Sequence, residues 1–176
     1  KNENSIDLKK LGVQEFSIEL NDSSFDELIQ KLNPTLVLFD RFMTEEQFGW
    51  RVETVLPETV RILETDDLHC LREARHLQLK QGGALELRNA VALREIASIL
   101  RSDGTLMISE PEVDILKNTF SVDSELLFYW PFMMRAPQPD SLSSFEARSH
   151  FMMIGSFMHA PNLDAARWCR DVVWPL

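Results

Sequence analysis

Cysteine and long apolar segments are scarce in this sequence, and each absence excludes a class of protein. Only Cys70 and Cys169 occur among the 176 residues, so we expect no disulfide framework, and a reducing compartment fits. No apolar run is long enough to cross a bilayer, and the N-terminus does not resemble a signal peptide. These features predict a cytoplasmic protein without a transmembrane segment.

Basic residues are also in deficit. The sequence has 18 Lys and Arg against 28 Asp and Glu, which gives a formal net charge of -10. Such a surface repels phosphate backbones and anionic membranes, so nucleic acid is not expected as a partner. The hydrophobic content of 44% and charged content of 26% are nevertheless those of an ordinary globular protein.

Two familiar ligand-binding patterns are missing as well. The pair Gly82-Gly83 neither follows a predicted strand nor forms a GxGxxG fingerprint, so it predicts a helix break rather than a dinucleotide site. The acidic and imidazole side chains of Asp66, Asp67, His69 and His76 do not match a zinc or calcium motif. We therefore expect neither a metal nor a cofactor.

Strand and helix signals alternate along the whole chain. Capping boxes at Ser24 and Thr44 predict two helix starts, and an apolar face with Leu93 and Leu100 predicts an amphipathic helix before Asp103. The stretch 35–39 is continuously apolar, as expected for a strand covered on both faces. Strands are predicted at 16–20, 35–39, 60–63, 105–108, 126–130 and 151–154. Repeated β-α units predict an α/β fold with a Rossmann-like parallel sheet and helices on both faces.

The composition changes between residues 131 and 149, where prolines and serines replace the periodic pattern. This predicts a linker over 133–149 between a first domain at 1–132 and the start of a second domain at 150–176. In the second domain, 151–154 is predicted as a strand, and Asn162 is predicted to cap the next helix. We expect the chain to be part of a longer protein. Its last predicted strand and helix have apolar faces to bury, either by docking onto the first domain or by self-association of two copies.

Candidate site residues follow the predicted strands, because ligands of open parallel sheets bind beyond the carboxyl ends of the strands. The segment from Glu64 to His69 is the densest in polar groups. One of Asp66 and Asp67 is predicted to cap the following helix. The other, or His69, is free to act as a general base. Further candidates are Asp40, Arg41 and Glu110 after other strands, and Gly155, Ser156, His159 and Asn162 near the C-terminus.

Several segments together resemble bacterial glycosyltransferases of the GT-B type, of the family 1/family 4 kind. The segments are 39–51 (FDRFMTEEQFGWR), 63–72 (LETDDLHCLR), 129–132 (YWPF), 154–162 (IGSFMHAPN), 165–168 (AARW) and 174–176 (WPL). The resemblance implies two Rossmann-like domains, with an acceptor bound to the first and a nucleotide-diphosphate sugar bound to the second. Such enzymes need no metal as a rule.

The resemblance also implies roles for particular residues. Asp66, Asp67 and His69 fall where such enzymes often place catalytic or acceptor-contacting groups. Gly155 and Ser156 fall in the first loop of the donor domain, near the donor's phosphates, with His159 and Asn162 beside them. No basic residue accompanies Gly155 and Ser156, which departs from what a phosphate site usually has.

The implied parent activity is transfer of a sugar from a nucleotide-diphosphate sugar to a hydroxyl acceptor. Its first strand should precede Lys1 and most of the donor domain should follow Leu176, so this chain alone is expected to transfer no sugar. Two alternatives stay open. One is a non-catalytic Rossmann-like module that binds a ligand or partner, and the other is a nucleotide-sugar epimerase of the same architecture.

Overall fold

The computed structural model describes residues 7–134, 136 and 143–175. The chain separates into two compact units, Lys1–Met133 and Met134–Leu176. Part of the predicted linker, at 135 and 137–142, lies outside the described residues.

The first unit is built on a parallel sheet of four strands in the order β1-β2-β3-β4. The strands are β1 (Leu36–Asp40), β2 (Val60–Glu64), β3 (Gly104–Met107) and β4 (Leu127–Tyr129). The helices are α1 (Ser24–Leu32), α2 (Arg41–Val55), α3 (His69–Gln81), α4 (Ala90–Arg101) and α5 (Glu110–Phe120). This all-parallel sheet flanked by helices confirms the predicted α/β, Rossmann-like fold class.

The core lies on the sheet face that carries Phe39, Leu63 and Met107, all of which are buried. These strand residues belong to one apolar cluster with residues of every flanking helix, among them Ile29, Val52, Leu71, Ile99 and Leu116. Removing such a side chain from water stabilises a fold by roughly 1.5–3 kcal/mol. The alternation of strand side chains therefore decides which sheet face holds the unit together.

The other face of the sheet is largely exposed in the described residues. Leu36, Leu38 and Phe128 are each about half exposed, so the expectation that 35–39 is covered on both faces is wrong. β1 is an edge strand, and only its Val37 and Phe39 side chains meet the apolar cluster. Gly104 lets Phe128 lie close over this face, because a Cβ there would stand 2.9 Å from a carbon of the Phe128 ring.

The strand predicted at 16–20 does not form. Phe16, Ile18 and Leu20 are exposed, and the described sheet ends at β1. A period-2 pattern predicts a strand only if a neighbouring strand supplies its hydrogen bonds. The edge of β1 makes no such ladder with this segment.

In the first unit, the start of α2 differs from the prediction, and the predicted helix break agrees with the structure. α2 begins at Arg41, so the sequence predicted as a capping box at Thr44 lies inside the helix, where Glu45 is buried. The predicted break at Gly82 and Gly83 is confirmed, since both glycines have left-handed backbone angles (φ 73° and 93°) directly after α3. Asn89 then caps α4 by accepting a hydrogen bond from the Ala92 amide at 3.0 Å.

The prediction of which face of α4 is buried is wrong. Leu93 and Leu100 are exposed, whereas Ala92, Glu95 and Ile99 are buried. The helix is turned this way because the Glu95 carboxylate binds backbone amides at the start of α3. The hydrogen bonds of Glu95 thus decide the orientation of the helix, although the opposite orientation would bury more apolar side chains.

The second unit contains α6 (Ala160–Trp168), which continues into a π-helical turn at Cys169–Val173, and a 3-10 turn at Phe145–Ala147. The strand predicted at 151–154 does not form, and its side chains are exposed. In the described part of this unit no strand is present to pair with it. Asn162 does not cap α6, since the helix begins two residues before it.

Candidate active site

The first two strands end in carboxylates that are neighbours. Asp40 ends β1, Glu64 ends β2, and the two residues are in register. Adjacent strands lie about 4.8 Å apart, so these side chains leave the same face at the same edge of the sheet. Parallel pairing therefore gathers negative charge at the carboxyl edge, where ligands of open α/β folds bind.

The chain turns sharply directly after each of these strands. Arg41 and Asp66 have left-handed backbone angles, with φ of 64° and 58°. Such angles are uncommon for residues other than glycine and cost about 1–3 kcal/mol each. The surrounding structure holds both residues in this conformation at the same edge of the sheet.

Glu64 has a raised proton affinity. Burial raises the pKa of its carboxyl group above the ordinary value, and the charge of Asp66, a side-chain hydrogen bond with Asp66 and the charge of Asp40 raise this pKa further. The Arg41 guanidinium opposes the shift. A carboxylate with a raised pKa is a better proton acceptor near neutral pH than an ordinary one.

Arg41 is held by Asp40. The guanidinium donates from Nε to Oδ1 at 2.9 Å and from an Nη atom to Oδ2 at 3.0 Å, and both side chains are exposed. This bidentate pair leaves hydrogen-bonding capacity facing solvent beside Glu64. The edge therefore presents a cation and three carboxylates, and the charges of Asp66 and Asp40 add to the effect of burial in raising the pKa of Glu64.

Asp66, Asp67 and His69 all lie between β2 and the first turn of α3, but each has a different partner. Asp66 lies near Glu64, and its charge contributes to the raised pKa of the Glu64 carboxyl group. Asp67 forms an ion pair with Arg72 at 3.1 Å. His69 begins α3, and its Nδ1 lies 3.5 Å from Oε1 of Glu95.

The expectation that Asp66 or Asp67 caps α3 is wrong. Oε1 and Oε2 of Glu95, on α4, accept hydrogen bonds from the His69 and Cys70 amides, both at 3.0 Å. Oε2 of Glu112, on α5, accepts from the Leu68 amide at 3.1 Å. Carboxylates from two other helices thus accept hydrogen bonds from the backbone amides at the start of α3, where the helix dipole favours negative charge. The Asp66 side chain therefore stays available at the sheet edge.

The His69 ring packs into the helical layer. It stands edge-on to Phe42 with the ring centroids 5.3 Å apart. Its Nδ1 is buried and makes no hydrogen bond in the part of the chain that the structure describes, since 3.5 Å to Glu95 is an ion-pair distance only for a protonated ring. This nitrogen therefore faces α4.

Glu110 lies further along the same edge. It is the first residue of α5 and is exposed. Within the described ranges, no group of three or more His, Cys, Asp or Glu side chains has the arrangement needed to hold a metal ion.

In the second unit, the four predicted donor-binding residues come together around the carbonyl oxygen of Ser156. The Asn162 side-chain amide donates to the carbonyl oxygen of Ser156 at 3.2 Å and packs over Gly155, where a Cβ would lie 2.7 Å from its nitrogen. Because Gly155 has no side chain, the Asn162 amide can lie close to the backbone at this position. His159 directly precedes α6, and its amide donates to the Ser156 carbonyl oxygen at 3.1 Å.

Sequence reasoning missed two carboxylates that shape this site, Glu95 and Glu112. Burial, the largest influence, raises the pKa of Glu112, although its hydrogen bond from Leu68 opposes the shift. Glu95 is fully buried. The sequence contains one signal for Glu95. This residue lies three positions after Ala92 on a helix, on the side opposite to Leu93 and Leu100.

The chain was compared with protein-family models, curated proteins and solved structures, and none of the three comparisons found a match. No helix in the described ranges combines the length and apolarity needed to span a bilayer.

Proposed function

We propose that this chain forms the acceptor-binding part of a GT-B glycosyltransferase that moves a sugar from a nucleotide-diphosphate sugar to a hydroxyl acceptor. The observation that carries the proposal is the group of carboxylates formed by Asp40, Glu64 and Asp66 at the carboxyl edge of a parallel sheet. Ligands bind at this edge in open α/β folds. The resemblance of the segments around Asp40, Asp66 and Gly155 to such enzymes supports the same assignment.

In the proposed reaction, Glu64 is the general base. The acceptor hydroxyl gives its proton to the Glu64 carboxylate while its oxygen bonds to the anomeric carbon of the donor. The bond from that carbon to the diphosphate oxygen breaks, and the nucleoside diphosphate leaves with the electron pair. Burial, together with Asp66 and Asp40, keeps the pKa of Glu64 raised, which favours proton uptake.

The remaining predicted residues have binding and positioning roles in this proposal. Asp40, Arg41 and Glu110 offer charged hydrogen-bonding groups to acceptor hydroxyls along the edge. Asp67 and His69, predicted from the sequence as catalytic with Asp66, fix the loop through Arg72 and Glu95.

The proposed donor contacts lie in the second unit. Gly155, Ser156, His159 and Asn162 are the proposed contacts to the donor diphosphate. Backbone amides near the start of α6 suit an anionic oxygen, which the helix dipole stabilises.

The test uses a longer polypeptide in which these 176 residues continue into a donor domain. Release of nucleoside diphosphate is measured from UDP-, GDP- and dTDP-sugars with a panel of hydroxyl acceptors. Glu64→Gln is expected to slow transfer by roughly a hundredfold or more, the scale of lost general-base catalysis, while circular dichroism checks that the variant stays folded. Asp66→Asn is expected to slow transfer less, because it perturbs the base without removing it.

Glu58→Gln is the matched control, because exposed Glu58 lies just before β2, at the opposite edge of the same sheet. It is expected to keep full activity. Near-normal turnover of both Glu64→Gln and Asp66→Asn rejects the assignment of the base. Binding of nucleotide sugars without transfer favours the non-catalytic module instead, and interconversion of the free nucleotide sugar favours the epimerase.

A further inference from the structure

Two neighbouring segments at the carboxyl edge of the sheet are joined by one side chain. β2 and β3 pair in parallel, so the chain leaves both strands at the same edge. Glu112 lies in the first turn of α5, the helix that follows β3. Its Oε2 accepts a hydrogen bond from the backbone amide of Leu68, the last residue before α3, at 3.1 Å. This hydrogen bond connects the loop after β2 to the helix after β3.

The Glu112–Leu68 hydrogen bond lies beside candidate site residues without involving any of them. Leu68 follows Asp66 by two residues, and the charge of Asp66 contributes to the raised pKa of Glu64. At the other end, Glu112 follows Glu110 by two residues. The Leu68 side chain is buried in the apolar cluster of the first unit, so its backbone amide needs an acceptor inside the protein. Glu112 therefore helps to fix the loop that carries Asp66.

Charges from the loop, from α3 and from α4 surround the Glu112 carboxyl group. Burial is the main reason why its pKa is raised above the ordinary value of a glutamate, and the hydrogen bond from Leu68 opposes this shift. The charge of Asp67 in the loop raises the pKa further, the charge of Arg75 on α3 opposes it, and the charge of Glu95 on α4 adds to it. Glu112 therefore takes up a proton closer to neutral pH than an ordinary glutamate does.

Protonation of Glu112 weakens its hydrogen bond with Leu68. A hydrogen bond to an ionised acceptor is roughly twice as strong as one between neutral groups. Once the carboxylate has taken up a proton, the Leu68 amide has at most a neutral oxygen as its acceptor. The end of the loop is then held less firmly, whereas the His69 and Cys70 amides remain bound to Glu95.

The same proton uptake does not unfold the first unit. Because the pKa of Glu112 is raised in the folded protein, the folded state binds this proton more tightly than the unfolded chain does. The stability that this group contributes is therefore fully present below its unfolded pKa, and it is lost as the pH rises through its folded pKa. A lower pH thus weakens one hydrogen bond while proton binding at Glu112 favours the folded state, so the change stays local.

We propose that Glu112 is a pH-dependent link between the segments that follow β2 and β3: its carboxylate holds the Leu68 amide, and its protonation loosens the loop that carries Asp66. Glu112 is a positioning residue, because it acts on Glu64 only through this loop. Its effect on sugar transfer rests on the proposed function, whereas the link itself is a property of the first unit. Two of the three tests therefore need no enzymatic activity.

NMR of the isotope-labelled 176-residue chain from about pH 4 to about pH 8, a range that covers raised carboxyl pKa values, follows the Leu68 amide directly. Its amide proton is expected to titrate with Glu112, because a carboxylate and a carboxyl group shift its resonance differently. In Glu112→Gln it is expected not to titrate, since the new side chain keeps an oxygen acceptor but binds no proton. Asp114→Asn, which neutralises an exposed carboxylate on α5, is the matched control and keeps the Leu68 titration. A Leu68 amide that does not titrate, or that titrates equally in Glu112→Gln, overturns the proposal.

Hydrogen exchange in the wild-type chain is a second readout, and it does not depend on the folding of any variant. The protection of the Leu68 amide, corrected for the intrinsic exchange rate at each pH, is expected to fall roughly fivefold as Glu112 is protonated. This factor is the difference between a charged and a neutral acceptor. The Leu63 amide in β2 is expected to keep its protection, because the unit stays folded. Unchanged protection at Leu68, or an equal loss at Leu63, contradicts a local link.

The effect on transfer is measured in the longer polypeptide that contains a donor domain. Glu112→Gln, which resembles the protonated side chain, is expected to lower kcat roughly fivefold at neutral pH and to leave KM for the nucleotide sugar unchanged. Its kcat should then decline less steeply than that of the wild type as the pH falls, because only Glu64 still takes up a proton. A wild-type kcat and pH profile in this variant overturns the regulatory role. Absence of transfer by the wild-type polypeptide contradicts the proposed function instead, and the Leu68 measurements then decide the link alone.

Discussion

The two units of this chain differ in how their apolar residues are used. In the first unit, Phe39, Leu63 and Met107 are buried together with residues of five helices. In residues 143–175 of the second unit, not one described residue is buried, and Phe151 and Ile154 are exposed. Both units contain apolar runs with the pattern of strands, yet only the first has strands that pair with one another.

An apolar run therefore forms a strand only where another strand of the chain lies beside it and pairs with it. The run at 60–63 pairs with strands on both sides, and the run at 151–154 pairs with none in the described residues. Pairing with a neighbouring strand supplies both the backbone hydrogen bonds and the burial of side chains, so an apolar run without a neighbour gains neither.

The largest expected effect is on amide hydrogen exchange. Amides of Val60–Glu64 should open only when the whole unit unfolds, at a cost of about 5 kcal/mol or more, so they exchange at least a thousandfold more slowly than those of residues 151–154. Exchange followed by NMR or mass spectrometry at pH 7 measures both segments in one sample. Equal protection of the two segments would show that 151–154 is paired and would remove the contrast.

Core truncation should separate the units next. Leu63→Ala removes a fully buried side chain and is expected to lower the free energy of unfolding by about 2–5 kcal/mol. Ile154→Ala, at an exposed position, is the matched change in the second unit and should stay within about 0.5 kcal/mol. Urea denaturation gives both values. A loss at Ile154 as large as that at Leu63 would mean that Ile154 is buried in solution.

A smaller effect is expected from the buried carboxylate on α4. Glu95→Ala leaves the His69 and Cys70 amides without acceptors, at a cost of about 1–3 kcal/mol. Asp114→Ala, which removes an exposed carboxylate from α5, should change stability by less than about 0.5 kcal/mol. Denaturation of the two variants in parallel makes the comparison. Equal stability of both would argue that Glu95 does not cap α3.

The smallest effect concerns pH. The pKa of Glu64 is raised in the folded protein, chiefly by burial, so the folded state binds more protons than the unfolded state between the two pKa values. Stability therefore falls as pH rises through that window, and the loss persists above the folded pKa. Glu64→Gln should remove this loss, so its stability relative to wild type should increase from pH 4 to pH 7. Glu58→Gln should show no such increase.

Sequence reasoning located the sheet of the first unit because its strands are short apolar runs between clear turn signals. It also located the helix break, since Gly82 and Gly83 allow left-handed backbone angles. It failed at 16–20 and at 151–154 because pairing is non-local. It chose the wrong side of α4 because apolar periodicity takes no account of Glu95, whose hydrogen-bond partner His69 is 26 residues away.

The candidate site was predictable in position and less so in detail. Asp40 and Asp66 stand out because they follow predicted strands, and parallel pairing then places Glu64 beside Asp40. The caps of α3 could not be inferred locally, because Glu95 and Glu112 come from two later helices. The left-handed angle at Asp66 likewise depends on how its loop is held from outside.

The carboxylate of Glu95 has a consequence for how the first unit assembles. If α4 docked before the first turn of α3 formed, this charge would enter the core without its two amide donors, and an uncompensated buried charge is strongly destabilising. If α3 formed alone, its first amides would lack an acceptor from α4. Half-assembled arrangements of the two helices are therefore high in energy. We expect α3 and α4 to dock in one cooperative step, without a populated intermediate that contains only one of them.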